Sequence, residues 1–209
     1  VTGVQTCALP ICAGSEIIID NKQMLFKPLE KRDTKFIQHI AKDTGHSLEG
    51  SQMTFTSEKN RERMRKFHVD NRMGNRFLSF PDISEITDND YEQIMKISIH
   101  FDSTAQREEI LKQIPEHLTF TNFMHLGGEI TQKEYNKATA IQFVKDYYNE
   151  EYETVAIGDS ENDLTMLNYA DISVAMGNRV DCVKEKADYV TDKIDNDGLY
   201  KAFKYLKLI

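Results

Sequence analysis

The feature that most constrains the fold is a change of rhythm after residue 129, where strand-like and helix-like segments begin to alternate. Three short apolar segments, TVAIG, DISVAM and DYVT, are separated by the helical patterns ENDLTMLNYA and RVDCVKEKA. TQKEYNKATAIQFVKDYYN precedes them and DGLYKAFKYL follows, and both have helical spacing. Strands that alternate with helices predict a parallel sheet with right-handed crossovers. We therefore expect residues 129–209 to form half of a Rossmann-like α/β core.

Residues 16–128 show a different pattern, which is typical of an antiparallel α+β domain. EIIID and QMLFKPL predict two strands joined by a polar turn at Asn21-Lys22. DTKFIQHIAKDTG predicts a helix that ends at Gly45. IMKISIHF predicts a strand with Met95, Ile97, Ile99 and Phe101 on one face and Ile94, Lys96, Ser98 and His100 on the other. We expect the domain boundary near Gly127-Gly128, with residues 12–15 as a remnant of the core.

The composition excludes several classes of partner. The formal net charge is −8, and affinity for a polyanion comes mainly from Lys and Arg on phosphates, so we expect no nucleic-acid partner. No apolar run approaches the roughly 18 residues of a membrane span, so we expect no membrane partner. Cys7, Cys12 and Cys182 lack the paired spacing of a disulfide framework or a zinc site. A reducing cytoplasm is the expected location.

The first eleven residues, VTGVQTCALPI, lack both the regions of a secretory signal and any helical or strand periodicity. They resemble the translation of a widely used sequencing-adapter strand. We therefore expect residues 1–11 to be an adapter artefact that is excluded from fold reasoning, and the native sequence to begin near Cys12.

An acidic loop follows the strand-like TVAIG. In an open parallel sheet, ligands bind beyond the carboxyl ends of the strands, and Asp159 is the first residue there. A carboxylate at that point suits a hard cation such as Mg²⁺. Ser160 and Asp163 also fit the S-x-x-D pattern of a capping box. Ser160 is therefore interpreted as a cap, and Asp163 as either a cap residue or a functional one.

Lys137 is the second candidate residue. It continues the apolar face of Ile141, Val144 and Tyr148 toward the helix N-terminus. A lysine at such a position either extends to solvent along its aliphatic stem or reaches an acidic or phosphorylated group. The sequence leaves both possibilities open.

Several of these segments together resemble one family. GDSENDLTML, followed by ISVAMGNRVDCVKEKADYVT and DNDGLYKAF, is similar to the C-terminal half of the haloacid dehalogenase superfamily, specifically its Cof-type phosphatases. NKATAI resembles the lysine motif of that family, and EIIIDNKQMLFKPLE resembles the start of its inserted α/β cap. The resemblance covers residues 12–209. It implies a core with a cap that covers the site and selects a small phosphorylated sugar or cofactor.

The resemblance also implies roles for individual residues. Asp159 would bind Mg²⁺ directly and Asp163 would support the metal shell. Lys137 would hold the phosphate and the charge of the nucleophile, and Asn162 would contact the phosphate. Arg179 replaces the small residue common after AMGN, which leaves it without a role, and Glu161 is assigned to solvent.

The family's catalytic aspartates are missing from the chain. They lie in a D-x-D-G-T motif on the first strand, and this motif does not occur in the 209 residues. We expect a Mg²⁺-dependent phosphatase that works through an aspartyl-phosphate, with its nucleophile, its second acid and a Ser or Thr outside this chain. The chain by itself should be inactive, and TVAIG should be left as an edge strand. The alternatives are a non-catalytic module that binds a phosphorylated ligand and a phosphotransferase of the same superfamily.

Overall fold

The computed structural model describes residues 8–63, 80–149, 151–177 and 181–209. The chain divides into two compact units, Val1–Tyr135 (unit 1) and Asn136–Ile209 (unit 2). Antiparallel sheets form unit 1 and a parallel sheet forms unit 2. The predicted combination of an α+β part with a Rossmann-like α/β part is therefore confirmed.

Unit 1 is built on two antiparallel sheets. Its strands are β1 (Ala8–Ile11), β2 (Glu16–Ile19), β3 (Lys22–Phe26), β4 (Gly45–Gly50), β5 (Thr54–Thr56), β6 (Ile94–His100), β7 (Leu118–Met124) and β8 (Gly127–Gln132). Its helices are α1 (Lys31–Ile40) and α2 (Thr104–Leu111), and residues 58–63 are also helical. The strand orders are β1-β2-β3 and β5-β4-β6-β8-β7.

The hairpin of β2 and β3 confirms the prediction of two strands joined by a polar turn. Asp20 and Asn21 have φ values of 50° and 62°, so both occupy the left-handed region. Two such residues form the turn whose twist matches that of a hairpin, and Asp and Asn tolerate this region better than most side chains. The turn therefore lies at Asp20-Asn21, one residue earlier than the sequence suggested.

Residues 8–11 belong to the segment that is interpreted as an adapter artefact. They form β1, which pairs antiparallel with β2 from Ala8 opposite Ile19 to Ile11 opposite Glu16. A sheet ladder is made by backbone N–H and C=O groups, so a segment without side-chain periodicity can extend a sheet at its edge.

The five-stranded sheet of unit 1 has one apolar and one polar face. Leu48, Phe55, Ile97, Ile99 and Ile130 pack into one hydrophobic cluster with residues of both helices. The opposite face carries hydroxyl and charged side chains of β4, β5 and β6, among them Ser47, Thr56 and Lys96, as the alternation in β6 predicts. Ile94 is an exception to the predicted faces, because its side chain packs in the apolar cluster. The register of β4 and β6 shifts at this point, since Glu49 pairs with Lys96 and Gly50 pairs with Ile94.

The boundary between the units lies later than predicted. β8 pairs with both β6 and β7, so Glu129 to Gln132 belong to unit 1, and the division falls after Tyr135. Gly127 and Gly128 do not form a linker. A Cβ on Gly128 would lie 2.3 Å from Cζ of Phe120 and 2.4 Å from the carbonyl oxygen of Thr121. Any larger residue at position 128 would therefore clash with β7 at the observed distance between the two strands.

Unit 2 confirms the alternation of strands and helices. It contains α3 (Lys137–Tyr148), β9 (Val155–Gly158), α4 (Leu164–Tyr169), β10 (Ile172–Ala175), α5 (Asp181–Lys184), β11 (Tyr189–Val190) and α6 (Gly198–Tyr205). The strands are parallel in the order β11-β10-β9, which places β9 at one end of the sheet. Ala156, Leu167, Ala175 and Val183 form its core cluster. Among the described helices of the whole chain, none has the length and apolar character needed to span a bilayer.

We predict that Gly128→Ala destabilises unit 1 by about 1–3 kcal/mol, because the added methyl group overpacks a site that includes backbone atoms. Thermal unfolding followed by circular dichroism measures the loss. Gly45→Ala is the matched control, since the nearest atom to its new Cβ would be 3.3 Å away. Equal stability of the two variants would contradict the close approach at Gly128.

Candidate active site in unit 2

The acidic loop is organised by the carboxylate of Asp163. After β9 the chain passes through Asp159 and Ser160 into a 3₁₀ turn at Glu161–Asp163, and α4 follows. Oδ2 of Asp163 accepts hydrogen bonds from the backbone N–H of Asp159 at 2.8 Å and of Ser160 at 3.1 Å. The backbone N–H of Asp163 in turn donates to the carbonyl oxygen of Ser160 at 2.9 Å. The side chain of Ser160 also accepts from the backbone N–H of Asp163, while the Asp163 carboxylate accepts from the backbone N–H of Ser160. These two side-chain contacts form the capping box that the sequence suggested.

Gly158 allows the loop to fold back this closely. A Cβ at this position would lie 2.6 Å from Cβ of Asp163, which is closer than real Cβ atoms approach. The last residue of β9 must therefore be a glycine if Asp163 is to reach the amides of the loop.

Lys137 is fixed at the first position of α3. The side-chain oxygen of Asn136 accepts from the N–H groups of Ala138 at 2.9 Å and Thr139 at 3.2 Å. The hydroxyl oxygen of Thr139 accepts the N–H of Asn136 at 2.9 Å, which completes a second capping box. The helix therefore begins at a defined residue, and the lysine stem leaves from its first turn.

The ammonium of Lys137 forms an ion pair with Oδ1 of Asp163. This contact decides between the two possibilities left open by the sequence, because the lysine reaches an acidic group. The side chain of Asp163 is 7% exposed and that of Lys137 is 33% exposed. The pair is thus buried on the carboxylate side and partly open on the ammonium side.

Opposing effects set the protonation of Asp163. Burial alone would raise the pKa of its carboxyl group, but the hydrogen bond from Lys137 and the N–H groups of Asp159 and Ser160 lower it below the ordinary value. Asp163 is therefore ionised at neutral pH, and its two oxygens serve different partners. Oδ1 holds the lysine, while Oδ2 holds the loop.

A cleft of about 350 Å³ lies at the carboxyl ends of β9 and β10. Asp159 and Asp163 line it together with Gly158 and with Met176, which follows β10. The cleft lies where the parallel-sheet argument expects a ligand. Its apolar wall includes Ile194 and Leu199, neither of which was predicted from the sequence. Leu199 falls in DNDGLYKAF and Ile194 immediately precedes that segment, and nothing in their spacing indicates a cleft.

The other sequence candidates lie near the same loop. The hydroxyl of Ser160 donates to Oδ1 of Asn162 at 2.7 Å, so the amide of Asn162 turns back onto the loop. Glu161 is half-buried within the 3₁₀ turn. Arg179 lies outside the described residues.

The residues of this loop can supply part of a magnesium site. Mg²⁺ is usually held by one or two carboxylates together with waters and substrate phosphate. Asp159 and Asp163 both line the cleft, and both oxygens of Asp163 are hydrogen-bonded. In the part of the chain that the structure describes, no three His, Cys, Asp or Glu side chains come together in a way that could hold a metal. The loop can therefore supply some of the ligands of a Mg²⁺ ion, but not a complete set of protein ligands.

Comparison with known proteins identifies the family. A family model described as haloacid dehalogenase-like hydrolase matches residues 2–203. The chain belongs to this family. The Cof-type resemblance seen in the sequence is therefore confirmed.

Named relatives of this hydrolase family are phosphatases. The chain is 36% identical over 129 residues to a 5-amino-6-(5-phospho-D-ribitylamino)uracil phosphatase of Bacillus subtilis, a match that covers 60% of this chain and 50% of that protein. It is 30% identical over 138 residues to a phosphoglycolate phosphatase of Methanobrevibacter smithii, which covers 65% and 57% respectively. The chain thus spans little more than half the length of these relatives.

Solved structures show the same fold. A sugar phosphatase of haloacid dehalogenase subclass IIB superposes with a TM-score of 0.78 at 21% identity, over 94% of this chain and 74% of that one. A phosphatase of the haloalkanoate enzyme superfamily from Bacteroides thetaiotaomicron gives 0.75 at 25% identity, over 94% and 72%.

We predict that Asp163→Ala destabilises unit 2 by about 2–4 kcal/mol, because it leaves a partly buried ammonium and two loop amides without their acceptor. Native-state hydrogen exchange of the β10 amides measures the opening free energy of unit 2 by itself. Glu151→Ala, which removes an exposed acid from the same unit, should change it by less than about 0.5 kcal/mol. A similar small change in both variants would contradict the anchoring role of Asp163.

Proposed function

We propose that the chain supplies the lysine and acidic-loop side of a Mg²⁺-dependent phosphatase that hydrolyses small phosphorylated metabolites. The observation that carries the proposal is the buried carboxylate of Asp163, which joins the ammonium of Lys137 to the loop of Asp159 at the carboxyl end of β9. Asp159 and Asp163 line one cleft, and Lys137 is paired with Asp163. The chain belongs to a hydrolase family, which supports a catalytic role for these three residues.

Asp159 would be the direct carboxylate ligand of Mg²⁺. Asp163 would keep that carboxylate in place through its hydrogen bond to the Asp159 backbone, and so would support the metal shell without losing its own partners. When bound, Mg²⁺ supplies charge neutralisation on the transferring phosphoryl group.

Lys137 would provide the second positive charge. Its ammonium is paired with a carboxylate that lines the cleft, so a phosphate in the cleft would meet a cation fixed by α3. Phosphoryl transfer depends mainly on positioning and electrostatic stabilisation, and a fixed ammonium gives both. Asn162 would contribute a contact to the phosphate from the same loop.

The covalent step requires an aspartate that these 209 residues do not provide within a D-x-D-G-T motif. We propose that this nucleophile and the second catalytic acid lie in sequence outside the chain, that the reaction passes through an aspartyl-phosphate, and that the chain alone has no turnover. Unit 1 would be the cap that selects the substrate. The relatives support small phosphorylated substrates, because one is named for a ribitylaminouracil phosphate and another for phosphoglycolate.

The test is phosphate release by the complete reading frame that contains this chain, with and without Mg²⁺. The panel contains 5-amino-6-(5-phospho-D-ribitylamino)uracil, phosphoglycolate and several hexose phosphates. We predict metal-dependent release that falls by about 100-fold or more in Asp159→Ala, because one electrostatic contribution to the transition state is removed. Glu161→Ala, an acid two residues further along the same loop, should keep its activity.

The chain of 209 residues alone should release no phosphate above background under the same conditions. Turnover by this chain would contradict the missing-nucleophile part of the proposal. The complete protein could also contain an intact D-x-D-G-T motif and still release no phosphate. That result would exclude phosphatase activity on the substrates of this panel, and it would favour phosphoryl transfer or binding without turnover. Equal losses of phosphate release in Asp159→Ala and Glu161→Ala would contradict the proposal that Asp159 binds the metal.

A further inference from the structure

The five-stranded sheet of unit 1 has two unlike edges. At one edge β5 is three residues long, and the backbone N–H of Thr56 donates to the carbonyl oxygen of Pro81 beyond it at 3.1 Å. At the other edge β7 is seven residues long. Within the part of the chain that the structure describes, its only strand partner is β8. Short length, proline and charged side chains commonly protect a sheet edge, and β7 has none of these three.

The hydrogen-bond pattern shows which backbone groups of β7 point away from the sheet. In an antiparallel pair, residues that bond to the neighbouring strand alternate with residues that direct their N–H and C=O groups to the other side. The backbone N–H of Lys133 donates to the carbonyl oxygen of His117 at 2.9 Å, so His117 bonds toward β8. Thr119 and Thr121 follow in the same phase. Phe120 lies between them and therefore directs its N–H and C=O groups outward.

The segment around β7 lacks charge in a highly charged chain. Residues 117–128 contain no Asp, Glu, Lys or Arg, although these residues make up 29% of the sequence, and only residues 1–15 form a longer run without them. Phe123 and Met124, at the end of β7, are 44% and 47% exposed. Depletion of charge together with exposed aromatic and methionine side chains is typical of the centre of a protein–protein interface. The composition therefore favours a protein partner at this edge.

A second copy of the chain fits this edge. Two copies of β7 related by a two-fold axis run antiparallel, so the outward N–H of Phe120 in one copy meets an outward carbonyl group in the other. Neither strand brings a charge to the contact, so the net charge of −8 on each chain is not concentrated there. Glu116 and His125 flank β7 at opposite ends, and antiparallel pairing places the carboxylate of one copy near the imidazole of the other.

Two features limit the length of this contact. The register of β7 and β8 shifts between Asn122 and Met124, and a bulge of this kind bends the strand. The regular part is therefore residues 118–122, which extend about 17 Å at 3.4 Å per residue. Arg107 lies beside them, 5.6 Å from the ring centroid of Phe120, and it donates to Oδ1 of Asn122 at 2.9 Å. Its charge is thus held by residues of the same chain, and the short contact predicts weak association.

We propose that two copies of the chain associate through β7, which pairs antiparallel with its counterpart. The pairing joins the two five-stranded sheets into one continuous sheet of ten strands. The contact lies wholly within unit 1, so it stands or fails independently of the phosphatase proposed for unit 2.

Sedimentation velocity and amide hydrogen exchange of the full chain test the association. Both are measured at about 10 µM and at about 500 µM, because a contact smaller than a standard interface binds weakly. We predict that the average mass rises toward twice that of one chain, and that exchange of the Phe120 amide slows by about tenfold or more as its N–H gains a partner. The Thr121 amide already bonds toward β8 and should change by less than about twofold, so it is the internal control.

Two variants of Thr119, a half-buried residue in the middle of β7, separate charge from size. Thr119→Lys places a lysine on the edge of each copy, which is a device by which native sheets avoid edge pairing, and it should abolish the rise in mass. Thr119→Gln has a side chain of similar length without the charge and should keep the rise. Circular dichroism verifies that both variants are folded.

Three results would overturn the proposal. The first is the mass of a single chain at both concentrations, which would leave the edge to an extended segment of a different protein. The second is a rise in mass without slower exchange of the Phe120 amide, which would place the contact elsewhere on the chain. The third is equal association of Thr119→Lys and Thr119→Gln.

Discussion

The ionised carboxylate of Asp163 is the group on which the geometry of the loop in unit 2 depends. It is nearly buried, and a buried carboxylate is tolerated only when its oxygens are hydrogen-bonded or paired. The Lys137 ammonium and the amides of Asp159 and Ser160 satisfy it. Lys137 begins α3, while the amides follow β9. The side chain of Asp163 therefore joins the loop after β9 to a residue 26 positions earlier in the sequence. The position of Asp159 at the cleft is a consequence of that link.

The two faces of the five-stranded sheet in unit 1 differ in their chemistry. The apolar face is covered by α1 and α2 and holds the core cluster, so it fixes the register of the strands. The register in turn places Ser47, Thr56, Ser98 and His100 together on the other face. Ile94 in β6 and the extra residue Phe123 in β7 depart from this alternation.

The sequence predicted those features that depend on local patterns. The parallel sheet of unit 2, the hairpin of β2 and β3, and the strand at β6 follow from periodicity, and the position of Asp159 follows from the order of elements. β4 was missed, because GHSLEG has only one apolar residue, Leu48, and forms a strand through backbone pairing with β5 and β6. The Lys137–Asp163 contact was also not predictable, since spacing on a helix gives the face of a lysine but not its partner. The bulge at Phe123 was also not predicted, because a register shift leaves no periodic signal in the sequence.

A double-mutant cycle on Lys137 and Asp163 tests the central claim most directly. Lys137→Met, Asp163→Asn and the double variant are compared with the unmodified chain by native-state hydrogen exchange of the β9 and β10 amides. The account predicts a coupling free energy of about 1–2 kcal/mol, because residues within one buried hydrogen-bonded network are not independent. Additive effects within about 0.3 kcal/mol would contradict the claim that this ion pair holds the site together.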